Sequence, residues 1–338
     1  MQDSPVRSAL ILGARGRLGL AATRAFAAAG WRVLAQVRPG ARPPAAAGVT
    51  WLPLAVEDTQ ALVRSARGAG VVVHAINPPY TRWDVQALPL LDAALRVAGQ
   101  LQACLMLPGN VYNFGANMPA LLLEHTPQLA HTRKGRIRVA MEQHMQQAAQ
   151  RGDARSVVIR AGDFFGAGSG SWFDLVLAKD IERGKMTYPG APDIPTAWAY
   201  LPDLAQAFER VAAKLLAAPG GLAPFAALHF HGHQLSGRDW ALQLTDIARH
   251  RGWLAPARAL KIATLPWPMI RLGGLVVPMW RELAEMRYLW QTPHALAGDK
   301  LAALIGAEPH TPFSDAVRAA LLAPGRDAQP APAATSWA

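Results

Sequence analysis

The sequence predicts an α/β fold. A doubly wound parallel sheet with helices on both faces is joined to a smaller, mainly helical C-terminal domain. Three observations carry that expectation. The apolar run Ala9-Leu10-Ile11-Leu12 breaks into Gly13-Ala14-Arg15-Gly16-Arg17-Leu18-Gly19 where a helical pattern begins. Strand-like and helix-like stretches then alternate through the first half. Beyond Ser236 helical patterns dominate.

Each element has a local reason. Ala9–Leu12 reads as a buried strand, and the helix Leu18–Ala29 ends at the turn residue Gly30. Trp31–Val37 is the second strand and Val49–Leu54 a short third, after which Asp58 caps a helix to about Ala66. Val71–Ala75 is the fourth strand, ended by Asn77-Pro78-Pro79. Asp84–Gly99 carries apolar residues at helical spacing. Leu101–Leu107 is the fifth strand, ended by Pro108-Gly109-Asn110. Thr132–Arg151 is a long helix and Ser156–Arg160 the sixth strand. Helices between consecutive strands make the sheet parallel, and ligands of such sheets sit beyond the carboxyl ends of the strands.

The later chain is less regular. Gly166–Asp193, rich in glycine and aromatics, suits an excursion over the site. Trp198–Leu216 reads as a strand and helix returning to the sheet, and Phe225–His231 as a further strand. The expected domains are 1–165 with 194–232 returning to it, then 166–193 and 233–326 as a cap. Asp327–Ala338, rich in alanine and proline, is expected to be a flexible tail.

The glycines say what the cleft holds. Gly13 permits a tight turn, Gly16 lets backbone approach a pyrophosphate, and Gly19 lets the helix pack closely. The helix start offers N–H groups to phosphates. Arg7, Arg15, Arg17, Arg24, Arg32, Arg38 and Arg42 stand against Asp3 alone in the first 42 residues, which suits a polyanionic dinucleotide.

Composition sets bounds. The 338 residues are 51% hydrophobic and 17% charged, enough for a sizeable core. A net charge of +11 comes mostly from scattered arginines, with no lysine-rich tail or aromatic-interleaved basic stripe, so nucleic acid is not an expected partner. Cys104 is the only cysteine, excluding an internal disulfide and fitting a reducing cytoplasm. No charged and then apolar leader opens the chain, so no signal peptide is expected. Leu265–Trp280 is apolar except for Arg271, yet short and interrupted by prolines. It reads as a buried or lid helix, with interfacial membrane contact as the alternative.

The order of these signals resembles the extended and atypical short-chain dehydrogenase/reductases, specifically the NAD(P)-dependent epimerase/dehydratase-like members. The likeness rests on Gly13–Gly19, Val71–Tyr80, Leu107–Gly115, Ile159–Gly168, Trp198–Ala205 and Phe230–Trp240, and spans roughly residues 8–325. It implies a Rossmann-type cofactor domain and a small substrate domain. The expected cofactor contacts are Gly13, Arg15, Gly16, Arg17, Leu18, Gly19, Arg38, Ala55, Val56, His74, Ala75, Asn77, Pro108, Arg138, Ala161 and Phe164. No acid ends the second strand, Gln36-Val37-Arg38. Arg38, with Arg15 and Arg17, instead suits a 2′-phosphate, so NADP(H) is expected. An acid common in relatives is replaced by Ala55.

Active relatives use a tyrosine and a lysine four residues later on one helix face. Here Lys134 occupies the tyrosine position and Arg138 the lysine position, while Pro108 replaces an expected serine. Arg138 would hold the ribose. Lys134 or Tyr112 would assist the proton beside Asn110. The alternative reading of this helix is a solvated face with Arg138 and Glu142 paired. His229, His231 and His233 alternate along one expected strand, but nothing completes a metal set, so no metal is expected. Trp172, Phe173, Trp198 and Tyr200 are candidates for the substrate pocket.

The leading function is an NADP-dependent oxidoreductase of non-standard active site, passing hydride to or from a small carbonyl or hydroxyl substrate. A redox sensor that binds NADP without turnover and a sugar-nucleotide epimerase or dehydratase are the alternatives. A homodimer is left open.

Overall fold

The computed structural model describes residues 7–322. The expected tail Asp327–Ala338 lies outside them. The strands are β1 Ser8–Leu12, β2 Arg32–Val37, β3 Val49–Pro53, β4 Val71–His74, β5 Cys104–Gly109, β6 Leu121–Leu122 and β7 Ser156–Arg160. They continue with β8 Asp163–Phe165, β9 Lys185–Tyr188, β10 Thr196–Tyr200, β11 Phe225–His229, β12 His233–Leu235, β13 Lys261–Thr264 and β14 Ala295–Leu296. The α-helices are α1 Arg17–Ala28, α2 Thr59–Ser65, α3 Trp83–Leu101, α4 Arg133–Gln150 and α5 Leu201–Ala217. α6 Gly237–His250, α7 Trp267–Gly273, α8 Pro278–Glu285, α9 Asp299–Ile305 and α10 Phe313–Leu322 follow.

Seven strands form one sheet in the order β11-β7-β5-β4-β1-β2-β3. Every neighbouring pair in it is parallel. The fold is therefore the doubly wound α/β type. Its strands read as continuous apolar runs because both faces are covered. Successive residues alternate between two core layers. Ala9, Ile11, Val33 and Val73 pack with Ala22 and Phe26 of α1 and with Leu204, Phe208 and Val211 of α5. Leu10, Leu12, Leu34 and Val72 pack with Leu91 and Leu95 of α3 and with Met141 and Met145 of α4. The chain runs outward from β1 through β2 and β3, then returns to place β4 on the other side of β1. That reversal opens a crevice at the carboxyl ends of β1 and β4.

Several elements differ from the sequence reading. Leu101 belongs to α3, which ends only where Gln102 turns left-handed (φ +54°). β5 therefore starts at Cys104 and includes Pro108 and Gly109. The Trp198 strand does not return to the large sheet. β10 pairs with β8 and β12 in a separate three-stranded sheet, and only its helix, α5, rejoins the main layers. The expected strand Phe225–His231 stops at His229, and the chain turns at Gly232 (φ +62°) before β12. The three histidines consequently share no face. His229 is buried against Arg160, the ring of His231 bonds the Leu296 carbonyl, and His233 packs on His310 and Phe165.

Leu265–Trp280 is not one helix. It folds as α7, a tight turn and the start of α8. No helix among the described residues is long and apolar enough to cross a membrane.

Candidate active site

The glycine turn is built as its spacing requires. Gly13 is left-handed at φ +74°. A Cβ on Gly19 would overlap the Gly13 carbonyl oxygen, so only glycine allows α1 to start this close to β1. A Cβ on Gly16 would stand 3.3 Å from the same oxygen, at the surface a phosphate must approach. Gly16 is the N-cap of α1 and no side chain caps the helix. Its first-turn N–H groups are thus available to an anion.

Gln36 stands near the end of β2 where an acid was absent. Its Oε1 accepts the Gly13 N–H at 2.9 Å, and its Nε2 donates to the Leu54 carbonyl at 2.6 Å. The buried amide thereby ties the turn to β2 and β3. It leaves Arg38, two residues further on and just past the end of β2, facing the cleft.

One cleft of about 1050 Å³ runs over the carboxyl ends of the strands. Gly13, Arg15, Gly16, Arg17 and Leu18 line it from the turn. Arg38, Ala55 and Val56 line one end, and His74, Ala75 and Asn77 the middle. Pro108, Asn110, Tyr112, Arg138 and Phe164 line the other end. The volume slightly exceeds the upper range for a drug-sized ligand, leaving room for a long cofactor with a small substrate. The bare helix start, the Gly16 surface and the three arginines fit a dinucleotide phosphate chain.

Two expected cofactor contacts and one expected catalytic residue lie elsewhere. Gly19 is packed inside the turn. Ala161 is fully buried in the core layer of α1 and α5 rather than at the cleft. Lys134 is fully buried and does not line the cleft, because carboxylates of α8 draw it away. Its Nζ pairs with Glu282 and, at 3.1 Å, with Glu285. Arg133 joins the same carboxylates and so pins α4 to α8. Among the aromatics proposed for the substrate pocket, Trp172 lines the cleft, but Phe173, Trp198 and Tyr200 pack with Trp240 in a separate core.

The Arg138–Glu142 pair of the alternative reading is not formed among the described residues. Glu142 accepts two bonds from the buried Arg160, at 2.6 and 3.0 Å, and another from Asn113. Arg160 Nη1 meets His229 Nε2 at 3.1 Å, so the ring proton of His229 sits on Nδ1 and goes to the Leu122 carbonyl. Burial, aided by Arg160, pushes His229 down to about 3. This network is structural and leaves Arg138 to the cleft. Arg138 lies 4.8 Å over the Trp83 ring and donates to the Pro108 carbonyl at 3.0 Å. Its Nε has no partner.

Beside Arg138 the cleft holds a phenol pair. The hydroxyls of Tyr80 and Tyr112 are 3.0 Å apart. Burial raises the pKa of both, and of Tyr112 strongly. The charges divide them. Asp163 pushes both up, but the hydrogen bond from Tyr112 and the charges of Arg138 and Arg17 pull Tyr80 down, whereas the neighbouring phenols push Tyr112 further up. Lys134 adds a cation 5.1 Å from the Tyr80 ring centroid. The Tyr112 N–H is held by Asn110 Oδ1 at 3.1 Å, so Asn110 orients the tyrosine through its backbone.

Two more titratable groups face this end. Asp163 accepts from Trp290 Nε1 at 3.1 Å, and burial pushes its carboxyl up to about 7. His74, with an unpartnered Nδ1, is pushed down to about 4 by burial and Arg138, so it is neutral near pH 7. Sequence reasoning had assigned no role to Tyr80 or Trp83, and had placed Asp163 only among the residues after the sixth strand that the resemblance sets around the nicotinamide. The available signal was position: Tyr80 follows the proline pair that ends β4, and Asp163 follows β7.

No family model and no curated protein matches the chain. Solved structures do. An epimerase from Methanothermobacter thermautotrophicus has a TM-score of 0.71 at 14% identity, covering 93% of this chain and 91% of that one. A nucleoside-diphosphate-sugar epimerase from Pseudomonas aeruginosa has a TM-score of 0.67 at 17% identity, covering 94% and 97%. UDP-glucose 4-epimerase from Brucella ovis, in complex with NAD, has a TM-score of 0.67 at 15% identity, covering 92% and 96%. The chain shares its fold with these epimerases along nearly its whole length.

Proposed function

We propose that this protein is an NADP-dependent oxidoreductase acting on a small, largely apolar carbonyl or hydroxyl compound. The observation that carries the reading is the Tyr80–Tyr112 pair beside Arg138, at the end of the cleft away from Arg38. Arg38 would take the 2′-phosphate, the turn at Gly13–Gly19 the pyrophosphate, and Arg138 the ribose of the nicotinamide half. A nicotinamide dinucleotide bound in this order supplies or accepts the hydride.

In the reducing direction Tyr80 donates its proton to the substrate oxygen. The Tyr112 hydroxyl donates to the Tyr80 oxygen and stabilises the phenolate left behind. Arg138 and Arg17 stabilise the same charge, while Lys134, paired with Glu282 and Glu285 beneath the Tyr80 ring, supports the ring and does not act on substrate. This moves the proton role from Lys134 and Tyr112 to Tyr80.

The fold likeness favours a sugar-nucleotide substrate as second reading. The lining argues against it. Its cationic side chains are Arg15, Arg17, Arg38 and Arg138, all committed to the cofactor, and the cap side brings Trp172 and Leu283. No further cation is left for a second diphosphate.

Fluorescence titration with NADPH and NADH, followed by NADPH loss across a panel of carbonyls and UDP-glucose, tests the proposal. NADPH is expected to bind at least tenfold tighter, and Arg38→Ala should remove that preference. Tyr80→Phe should lower kcat by about 10²–10⁴ with KM little changed. Binding without turnover across the panel would favour the sensor reading. NADH preference would overturn the role of Arg38, and unchanged kcat in Tyr80→Phe that of the phenol pair.

A further inference from the structure

The α7–α8 hairpin presents four exposed large apolar side chains, two of which, Leu275 and Val276, are the most exposed among the described residues. Met269 is 55% exposed, Leu272 71%, Leu275 82% and Val276 84%. Pro266, Pro268 and Pro278 are exposed around them. Single exposed leucines are ordinary, but a contiguous set on one hairpin marks a contact surface.

The hairpin is a built structure. A Cβ on Gly273 would overlap the Trp280 ring, so the two helices close directly onto each other. The backbone N–H groups at the tip are satisfied within it. Gly274 donates to Ile270, Leu275 to Leu272, and Val276 and Val277 to Gly273. A segment that enters an apolar medium needs this internal satisfaction, because no water is there to replace it.

Charge selects the occupant. Arg271 and Arg281 flank the apolar tip and are exposed. The acids of α8 do not offset them at the surface: Glu282, which Arg281 Nε approaches at 3.8 Å, is buried on Lys134 and Arg133, and Glu285 turns to Lys134, while Arg281 itself stays 65% exposed. A second copy of this chain docked on the same face would bring arginines against arginines. An anionic lipid surface accepts both the apolar tip and the arginines.

We propose that the α7–α8 hairpin seats this protein on anionic membrane surfaces, with Leu275 and Val276 entering the headgroup–acyl boundary. The same α8 carries Leu283 into the cleft wall, six residues past Val277 and so about 9 Å along the helix. The surface would thus lie close to the entrance used by an apolar substrate. The proposal does not depend on which cofactor or reaction the cleft supports.

Sedimentation with phosphatidylcholine vesicles, with and without phosphatidylglycerol, tests it on the full chain. Binding to the anionic vesicles at low salt is expected, with little to the neutral ones. Leu275→Asp with Val276→Asp should weaken it about tenfold or more, since each exposed apolar contact is lost at a site that packs on nothing. Arg271→Gln with Arg281→Gln should weaken it and flatten its salt dependence. Far-ultraviolet circular dichroism matching the parent establishes that each variant is folded. Failure of the parent to sediment with anionic vesicles overturns the proposal, as does undiminished binding by the aspartate variant. So does a concentration-dependent dimer that the aspartate variant abolishes, because the face would then serve self-association.

Discussion

Asp163 lies at the start of β8 with its carboxyl pushed up to about 7 by burial, and this ties a single residue to a measurable pH dependence. The folded chain holds that proton between the ordinary value of 3.8 and about 7, where the unfolded chain has released it. Its stabilising contribution is therefore complete at low pH and is lost as pH rises through about 7. His74 works in the opposite sense, its contribution being lost as pH falls from 6.5 towards 4. The difference between parent and Asp163→Asn isolates the acid. In urea titrations from pH 5 to 8 the parent should lose on the order of 1–3 kcal/mol relative to the variant. Parallel pH profiles would show that Asp163 is ionised throughout. Residue identity made the left-handed Gly13 and the close packing at Gly19 legible in advance, and Arg38's place at the cleft, because these follow from local conformation or from position just beyond one strand. Tyr80 was not legible. Its role depends on Tyr112, 32 positions away, and no local pattern reports such a pairing.

Among the elements, α4 and α8 are joined by an ion cluster that the sequence conceals. Lys134 and Arg133 start α4, while Glu282 and Glu285 lie on α8. Taken alone, α4 reads as a helix with a solvated basic face. The tertiary contact buries Lys134 completely. Lys134→Met should cost about 3 kcal/mol, because removing one partner leaves a buried carboxylate less well compensated. Calorimetry or urea unfolding measures it, and a cost under ~0.5 kcal/mol would mean the cluster is not a clasp. The strand Thr196–Tyr200 carries the same lesson. Its apolar pattern identifies a buried strand but says nothing about which sheet buries it.

For the whole molecule, the cleft is walled by the glycine turn, the ends of the parallel strands and, through Trp172 and Leu283, the cap. A ligand held by all of them binds the folded chain alone and must stabilise it. At a hundredfold excess over its Kd, NADPH should add about 2.7 kcal/mol and raise the melting temperature by roughly 5 °C. NADH at equal concentration should add clearly less. Equal shifts in a thermal melt would remove the support for NADP.

The sequence by itself determined the alternating α/β architecture, the glycine turn and the arginine at the end of β2. These depend on periodicity, backbone freedom and short spacing, all written locally. Only the tertiary structure decided which groups meet over the turn. It drew Lys134 to α8, gave Glu142 to Arg160, separated the three histidines and brought Tyr80 to Tyr112. Each outcome is a competition between distant polar groups for burial with a partner, and it is settled when the helices and the cap close on the sheet.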